Sequence, residues 1–193
     1  MLSQPCRNGC SKLTCINVEW GFNILFIWVF RIIMPQPFSK QELSILSRIQ
    51  SDSTLSVADI AQQTGMSASP CWRRINKLQA QGVIRKKVAL LEPKNLGLSV
   101  IVFAEVKLVN HARETLDSFA HAIELLPEVQ ECYVVVGDVD FLLKIMTRDI
   151  ESYQHFIYDQ LSPLKEVHDI KSMVTLNPVK CTTELPLNQV ETA

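Results

Sequence analysis

The sequence predicts an α+β chain made of two unlike parts, a bundle of three short helices followed by a βαββαβ module. Three observations lead there. Between Phe38 and Gly82 the apolar residues recur at helical spacing, and each helical run opens on a serine at a cap position. Between Ser99 and Pro178, β-rich and helical runs alternate in the order strand, helix, strand, strand, helix, strand. Charge divides near the same boundary: residues 38–98 carry nine Lys/Arg against four Asp/Glu, net +5, whereas residues 99–193 carry seven against fifteen, net −8. That asymmetry implies a basic part that meets a polyanion and an acidic part with another task.

The first helix opens on Ser39 with Glu42 three residues later, a capping-box pattern, and continues through Leu43, Ile45, Leu46 and Ile49. Ser56 and Asp59 repeat the signal for a second helix lined by Val57, Ile60 and Ala61. Gly65 ends it in a left-handed conformation that suits glycine. Ser67 opens a third helix, with Pro70 in its first turn. At roughly 100° per residue, Cys71, Ile75 and Leu78 share an inward face. Ser69, Arg73, Asn76, Lys77 and Ala80 lie opposite, and Arg74 lies on the flank. A short helix, a tight turn at 64–67 and a polar, basic helix match a helix-turn-helix, whose second helix enters the major groove. The candidate DNA contacts are Ser67, Ser69, Arg73, Arg74, Asn76 and Lys77. The plainer alternative is a solvated basic helix face, against which the turn chemistry and the +5 balance weigh.

These residues resemble the Lrp/AsnC family of transcription regulators. GMSASPCWRRINKLQAQGVI is similar to that family's recognition-helix segment, and VALLEPKNLGL to its linker strand. The resemblance covers about residues 38–187. Gln79 departs from it, standing where many members carry glutamate. PCW in the helix and the tail CTTELPL look like the branch that responds to amino acids such as cysteine.

In the second part, Val100–Leu108 reads as a strand, residues 112–126 as a helix, and Val129–Val136 as a second strand. The turn Gly137-Asp138-Val139-Asp140 leads into a third strand, Phe141–Thr147. Ile150–Leu161 reads as a helix ended before Pro163, and Val167–Leu176 as the last strand. The order is that of a ferredoxin-like antiparallel sheet. Runs such as Val134-Val135-Val136 make its strands apolar on both faces, so the face left by the helices is expected to meet another subunit. The resemblance implies that this is the family's amino-acid-metabolism regulation (RAM) domain, which forms dimers and then tetramers or octamers. It also implies an amino-acid effector bound between subunits near Gly137, Asp138 and Asp140; the two aspartates could equally serve only the turn's geometry.

The expected organisation is a leader over 1–37, a three-helix, winged helix-turn-helix domain over 38–85, and a linker strand over 86–98. A ferredoxin-like effector and oligomerisation domain follows over 99–178, then a tail over 179–193. The leader's apolar run, Ile24–Phe30, falls far short of the ~20 residues a spanning helix needs. It reads as a disordered or non-native extension with Met34 as the true start; a membrane tether through residues 20–33 and a secretory signal are the alternatives.

With 47% hydrophobic and 20% charged residues, the chain can bury a core, which excludes a disordered class. Cys71, Cys132 and Cys181 read as reduced thiols of a cytoplasmic protein, and Cys6, Cys10 and Cys15 lack a fourth metal ligand. No catalytic constellation, metal site or cofactor motif is expected: the four histidines are scattered, and no phosphate-binding glycine loop occurs. The expected function is a sequence-specific regulator that binds double-stranded DNA as a homo-oligomer under control of an amino acid. Because ferredoxin-like modules also regulate enzymes of amino-acid metabolism, a regulatory enzyme subunit is the competing class.

Overall fold

The computed structural model describes residues 38–192. The leader and its alternatives therefore lie outside the described residues. The helical part comprises α1 (Lys40–Ser51), α2 (Val57–Gln63) and α3 (Ala68–Ala80). Both expected capping boxes are present, Ser39 with Glu42 and Ser56 with Asp59. Ser67 occupies the N-cap of α3, but its hydroxyl makes no cap hydrogen bond. Gly65 and Gly82 close α2 and α3 at φ +67° and +73°, the left-handed region where a Cβ is costly. Ile45, Ile49, Ile60, Ala61, Cys71, Ile75 and Leu78 form the core of this part. The buried stripe of α1 is therefore Glu42–Ile45–Ile49, not the one that starts at Leu43; Leu43 stays half-buried to one side.

The linker differs from expectation. Between Gly82 and Leu98 there is no strand, only a bend, irregular chain and a short 3₁₀ turn, Pro93–Leu96, closed by Gly97 at φ +77°. A strand exists only where a second backbone faces it. Nothing in the described residues faces Val88–Leu91, and Leu90 and Leu91 remain 72% and 70% exposed. For the same reason, no hairpin wing accompanies the three helices among the described residues.

The second part has the expected order: β1 (Val100–Leu108), α4 (Arg113–Glu124), β2 (Val129–Val134), β3 (Phe141–Thr147), α5 (Ile150–Phe156) and β4 (Val167–Val174). A π-helical turn, Ile157–Leu161, extends α5. The strands form one antiparallel sheet in the order β2-β3-β1-β4, so the two central strands are those that bury alternate side chains most completely. Val102, Ala104 and Val106 of β1 and Phe141, Leu143 and Ile145 of β3 pack on Phe119, Ile123, Tyr153 and Phe156 of the helices. The Phe119 and Phe141 rings lie 4.7 Å apart at 50°, within the range of favourable tilted aromatic pairs.

The opposite face is mixed rather than apolar throughout. Phe103, Leu142, Met146 and Met173 share it with two ion pairs, Lys144–Glu131 at 2.7 Å and Lys171–Glu105 at 3.5 Å. The strand β2 is also shorter than its sequence suggests. Val135 donates to the Asp140 carbonyl at 2.9 Å and the chain turns there, leaving Val136 almost wholly exposed.

Candidate nucleic-acid interface and effector turn

Periodicity alone sorts the side chains of α3, and the fold then divides its basic residues. Cys71, Ile75 and Leu78 anchor the helix to the core. Ser69 and Arg73 are exposed, as is Ser67 ahead of the helix, and Asn76 is half-buried. Arg74 and Lys77 instead turn towards the start of α1. Arg74 Nη1 donates to Ser39 Oγ at 3.5 Å, and Lys77 Nζ lies 3.3 Å from Glu42 Oε1. Arg73 has no ion-pair partner among the described residues. Of the expected contacts, Arg73 is thus the basic side chain free to meet DNA, while Arg74 and Lys77 also brace α3 against α1.

Glu42 is the hub of that brace. Its carboxylate accepts from the Ser39 backbone N–H at 3.0 Å, from Ser39 Oγ at 2.8 Å and from Lys77. The hydrogen bond from the Ser39 backbone does most to hold its carboxyl below the usual carboxylate range; the Ser39 hydroxyl and Lys77 add to this, while burial opposes it.

Two features of this face escaped the sequence reading. Trp72 is 55% exposed and falls on the arc between Asn76 and Gln79, at the edge of the face that carries Arg73. Its signal was available: an indole at a position off the Cys71–Ile75–Leu78 stripe. The run Arg85-Lys86-Lys87, just past Gly82, is exposed except for its half-exposed neighbour Ile84, and adds three charges beside α3 in sequence. Such residues suit phosphate contacts, which set orientation, whereas α3 suits base edges.

The second candidate site is the turn between β2 and β3. Asp140 is largely taken up by the fold. Its Oδ2 accepts from the Leu108 backbone N–H at 2.8 Å, and its Oδ1 lies 2.9 Å from His111 Nδ1. Its own N–H donates to the Val106 carbonyl at 3.0 Å. Asp140 therefore ties the turn to the end of β1, and His111 is a partner the sequence did not suggest. Asp138, by contrast, is exposed and makes no side-chain hydrogen bond among the described residues. Gly137 has φ +159°, close to fully extended, and a Cβ there would meet nothing within 4 Å. The base of the turn, Val134 paired with Phe141, also lines a cleft of about 340 Å³ between α4 and β2, together with Ile123, Glu124 and Cys132. Burial pushes the Cys132 thiol above its ordinary pKa.

Among the described residues there is no cluster of three or more His, Cys, Asp or Glu side chains placed to hold a metal. No described helix is long and apolar enough to cross a membrane.

Comparison with known proteins gives these features a family. Residues 38–85 match a winged helix-turn-helix DNA-binding model, and residues 101–185 match the Lrp/AsnC ligand-binding domain. The glutamate uptake regulatory protein of Zymomonas mobilis is 36% identical over 146 residues, spanning 76% of this chain and 88% of that protein. Among solved structures, an AsnC-family regulator from Agrobacterium tumefaciens shares 40% identity with a TM-score of 0.75, over 78% of this chain and 98% of that one. A transcriptional regulator of Neisseria meningitidis, solved as a complex with L-Met, shares 32% identity with a TM-score of 0.75, over 78% and 97% of the two chains. With the helical reader, the ferredoxin-like sheet and these relatives in agreement, the chain belongs to the Lrp/AsnC family of transcription regulators.

Proposed function

We propose that the protein binds specific double-stranded DNA through α3 and that a small amino acid, held at the Gly137–Asp140 turn between subunits, adjusts that binding. The observation that carries this reading is the pairing, in one chain, of an exposed Ser69–Arg73 face, flanked by half-buried Asn76, on a helix-turn-helix with a ligand-binding domain of this family. In this reading Arg73 reads base edges, Arg85, Lys86 and Lys87 contact phosphates, and Ser67 sits at the phosphate-facing start of α3.

At the turn, Asp138 offers a carboxylate to the effector's ammonium, Gly137 offers backbone, and Asp140 keeps both in place. An amino acid fits the chemistry of such a site, which needs one acidic group beside free backbone donors. The adjoining cleft, at about 340 Å³, has room for a small side chain. The Neisseria relative, solved with L-Met, supports an amino acid as the ligand class.

The protein acts as a homo-oligomer, a dimer that builds tetramers or octamers. Exposed Leu90 and Leu91 of the linker and the mixed outer face of the sheet supply the apolar surface for contact between copies. It works in the cytoplasm, where its DNA is, and needs no cofactor. It acts as a regulator and not as an enzyme, in keeping with the transcription regulators it resembles.

The experiment is a thermal-shift screen of the twenty amino acids, followed by DNA titrations with each hit. A ligand that binds the folded state raises the melting temperature by mass action. A hit that also changes DNA affinity is the expected result; failure of every amino acid to shift both quantities would overturn the reading.

A further inference from the structure

The chain beyond β4 does not leave the fold. Thr175 still pairs with Ile101, its N–H and its hydroxyl both donating to the Ile101 carbonyl at 3.0 and 2.9 Å. The tail then returns to the helical part. The side-chain amide of Gln50 makes two hydrogen bonds with the backbone of Leu185. Gln50 Nε2 donates to the Leu185 carbonyl at 3.1 Å, and the Leu185 N–H donates to Gln50 Oε1 at 3.1 Å. At the far end, Thr192 forms a parallel bridge with Phe38.

The two anchor points define a path. Phe38 precedes α1 and Gln50 lies in its last turn, twelve positions apart, about 18 Å at the helical rise. Leu185 to Thr192 is seven residues, at most about 23 Å if fully extended, and the 3₁₀ turn Leu187–Gln189 shortens it. The tail therefore lies lengthwise and antiparallel along α1 with little slack. Leu43, Leu46 and Gln50 recur at helical spacing on one stripe of α1 beside its core-facing residues, and Leu187 and Val190 are the half-buried residues of this stretch of tail. Leu43 is half-buried outside the helical core cluster, whereas Leu46 packs on that core.

The helical part is thus joined to the sheet twice, once through the linker and once through the tail. A single linker without secondary-structure partners leaves a domain free to reorient, whereas a second attachment removes that freedom. We propose that residues 176–192 are a strap that fixes the orientation of the DNA reader on the sheet domain and so sets the spacing at which two readers of a dimer meet DNA. The proposal rests on the reading of the protein as a dimeric DNA binder. A dimer addresses half-sites about one helical turn apart, or multiples of it, so a rigid reader rejects half-sites that are out of phase.

The test uses full-length protein, a variant stopped after Lys180, and Leu185→Pro, which removes the N–H donated to Gln50 from an exposed residue. The probes are a duplex selected from random sequence by the full-length protein, the same duplex with about half a helical turn inserted between half-sites, and one half-site alone. The full-length protein is expected to lose roughly tenfold or more in affinity on the insertion, and both variants less than about threefold. All three proteins are expected to bind the single half-site equally and to melt within a few degrees of one another. Equal discrimination by the variants and the full-length protein would overturn the strap. So would an equal loss on the single half-site, because the tail would then act on the reader's folding. If the full-length protein itself ignores the insertion, the dimeric reading falls, and the strap with it.

Discussion

Lys77 Nζ lies 3.3 Å from Glu42 Oε1, so the lysine in the last turn of α3 is held by a carboxylate at the start of α1. Arg73, one turn earlier on the same helix, has no such partner among the described residues. The two basic residues therefore separate into different roles. Arg73→Ala is expected to cost about 1–3 kcal/mol of discrimination between the selected duplex and mismatched ones. Lys77→Ala should weaken every duplex alike and flatten the dependence of affinity on salt. Titrations across a salt series measure both. The assignment is reversed if Lys77→Ala alters sequence preference and Arg73→Ala does not.

The same brace makes the helical part sensitive to acid. Because its folded pKa is depressed, the contribution of Glu42 is fully present above its unfolded value and is lost as pH falls through the folded one. Glu42→Gln should therefore be less stable than the parent at neutral pH, by about 1 kcal/mol for a weakened helix cap. The gap should close as pH drops below the ordinary carboxylate range. Denaturant midpoints of the two proteins at neutral and acid pH give the comparison; a gap that stays constant would show that the charge of Glu42 contributes nothing.

Trp72 gives a separate handle on the interface. Removing an exposed indole leaves the core intact, so Trp72→Ala should change stability by less than about 0.5 kcal/mol. If the indole packs on the sugar–phosphate surface as α3 enters the groove, DNA affinity falls in the same variant. Calorimetric melting alongside DNA titration separates the two effects, and unchanged affinity would place Trp72 outside the interface.

What the sequence made legible follows the range of each interaction. The Ser39–Glu42 and Ser56–Asp59 caps span three residues, so their spacing is written in the chain, and the helix boundaries came with them. The strand order was legible because β-branched runs and a 3.6-residue period look different locally. Glu42–Lys77, Leu108–Asp140 and Gln50–Leu185 join residues 35, 32 and 135 positions apart, and no local pattern announces them. For that reason Lys77 and Asp140 read as free ligand groups, and the tail as an appendage. The linker failed for the opposite reason: its residues favour a strand, but strand formation depends on a partner backbone, and none faces it among the described residues.

The turn between β2 and β3 calls for a prediction that separates holding the site from being the site. Asp140 Oδ2 accepts the N–H of Leu108, a residue only 3% exposed. Removing that acceptor strands a nearly buried donor, which costs about 1–3 kcal/mol. Asp140→Ala should therefore lower stability as well as the response to the amino-acid effector. Asp140→Asn keeps an oxygen that can accept from Leu108 while removing the charge that faces His111, so it should recover most of the stability. Asp138 is exposed and without a side-chain hydrogen bond among the described residues, so Asp138→Ala should leave melting unchanged. If Asp138 receives the effector's ammonium, that variant loses the ligand's effect on DNA affinity, a coupling of about 1–3 kcal/mol in typical regulators. The measurements are thermal melting and DNA affinity with and without the amino acid identified by screening. A full response in Asp138→Ala, with loss of response in Asp140→Asn at normal stability, would move the ligand contact from Asp138 to Asp140. A full response in both would place the effector elsewhere, with the α4–β2 cleft beside Val134 and Phe141 as the next place to look.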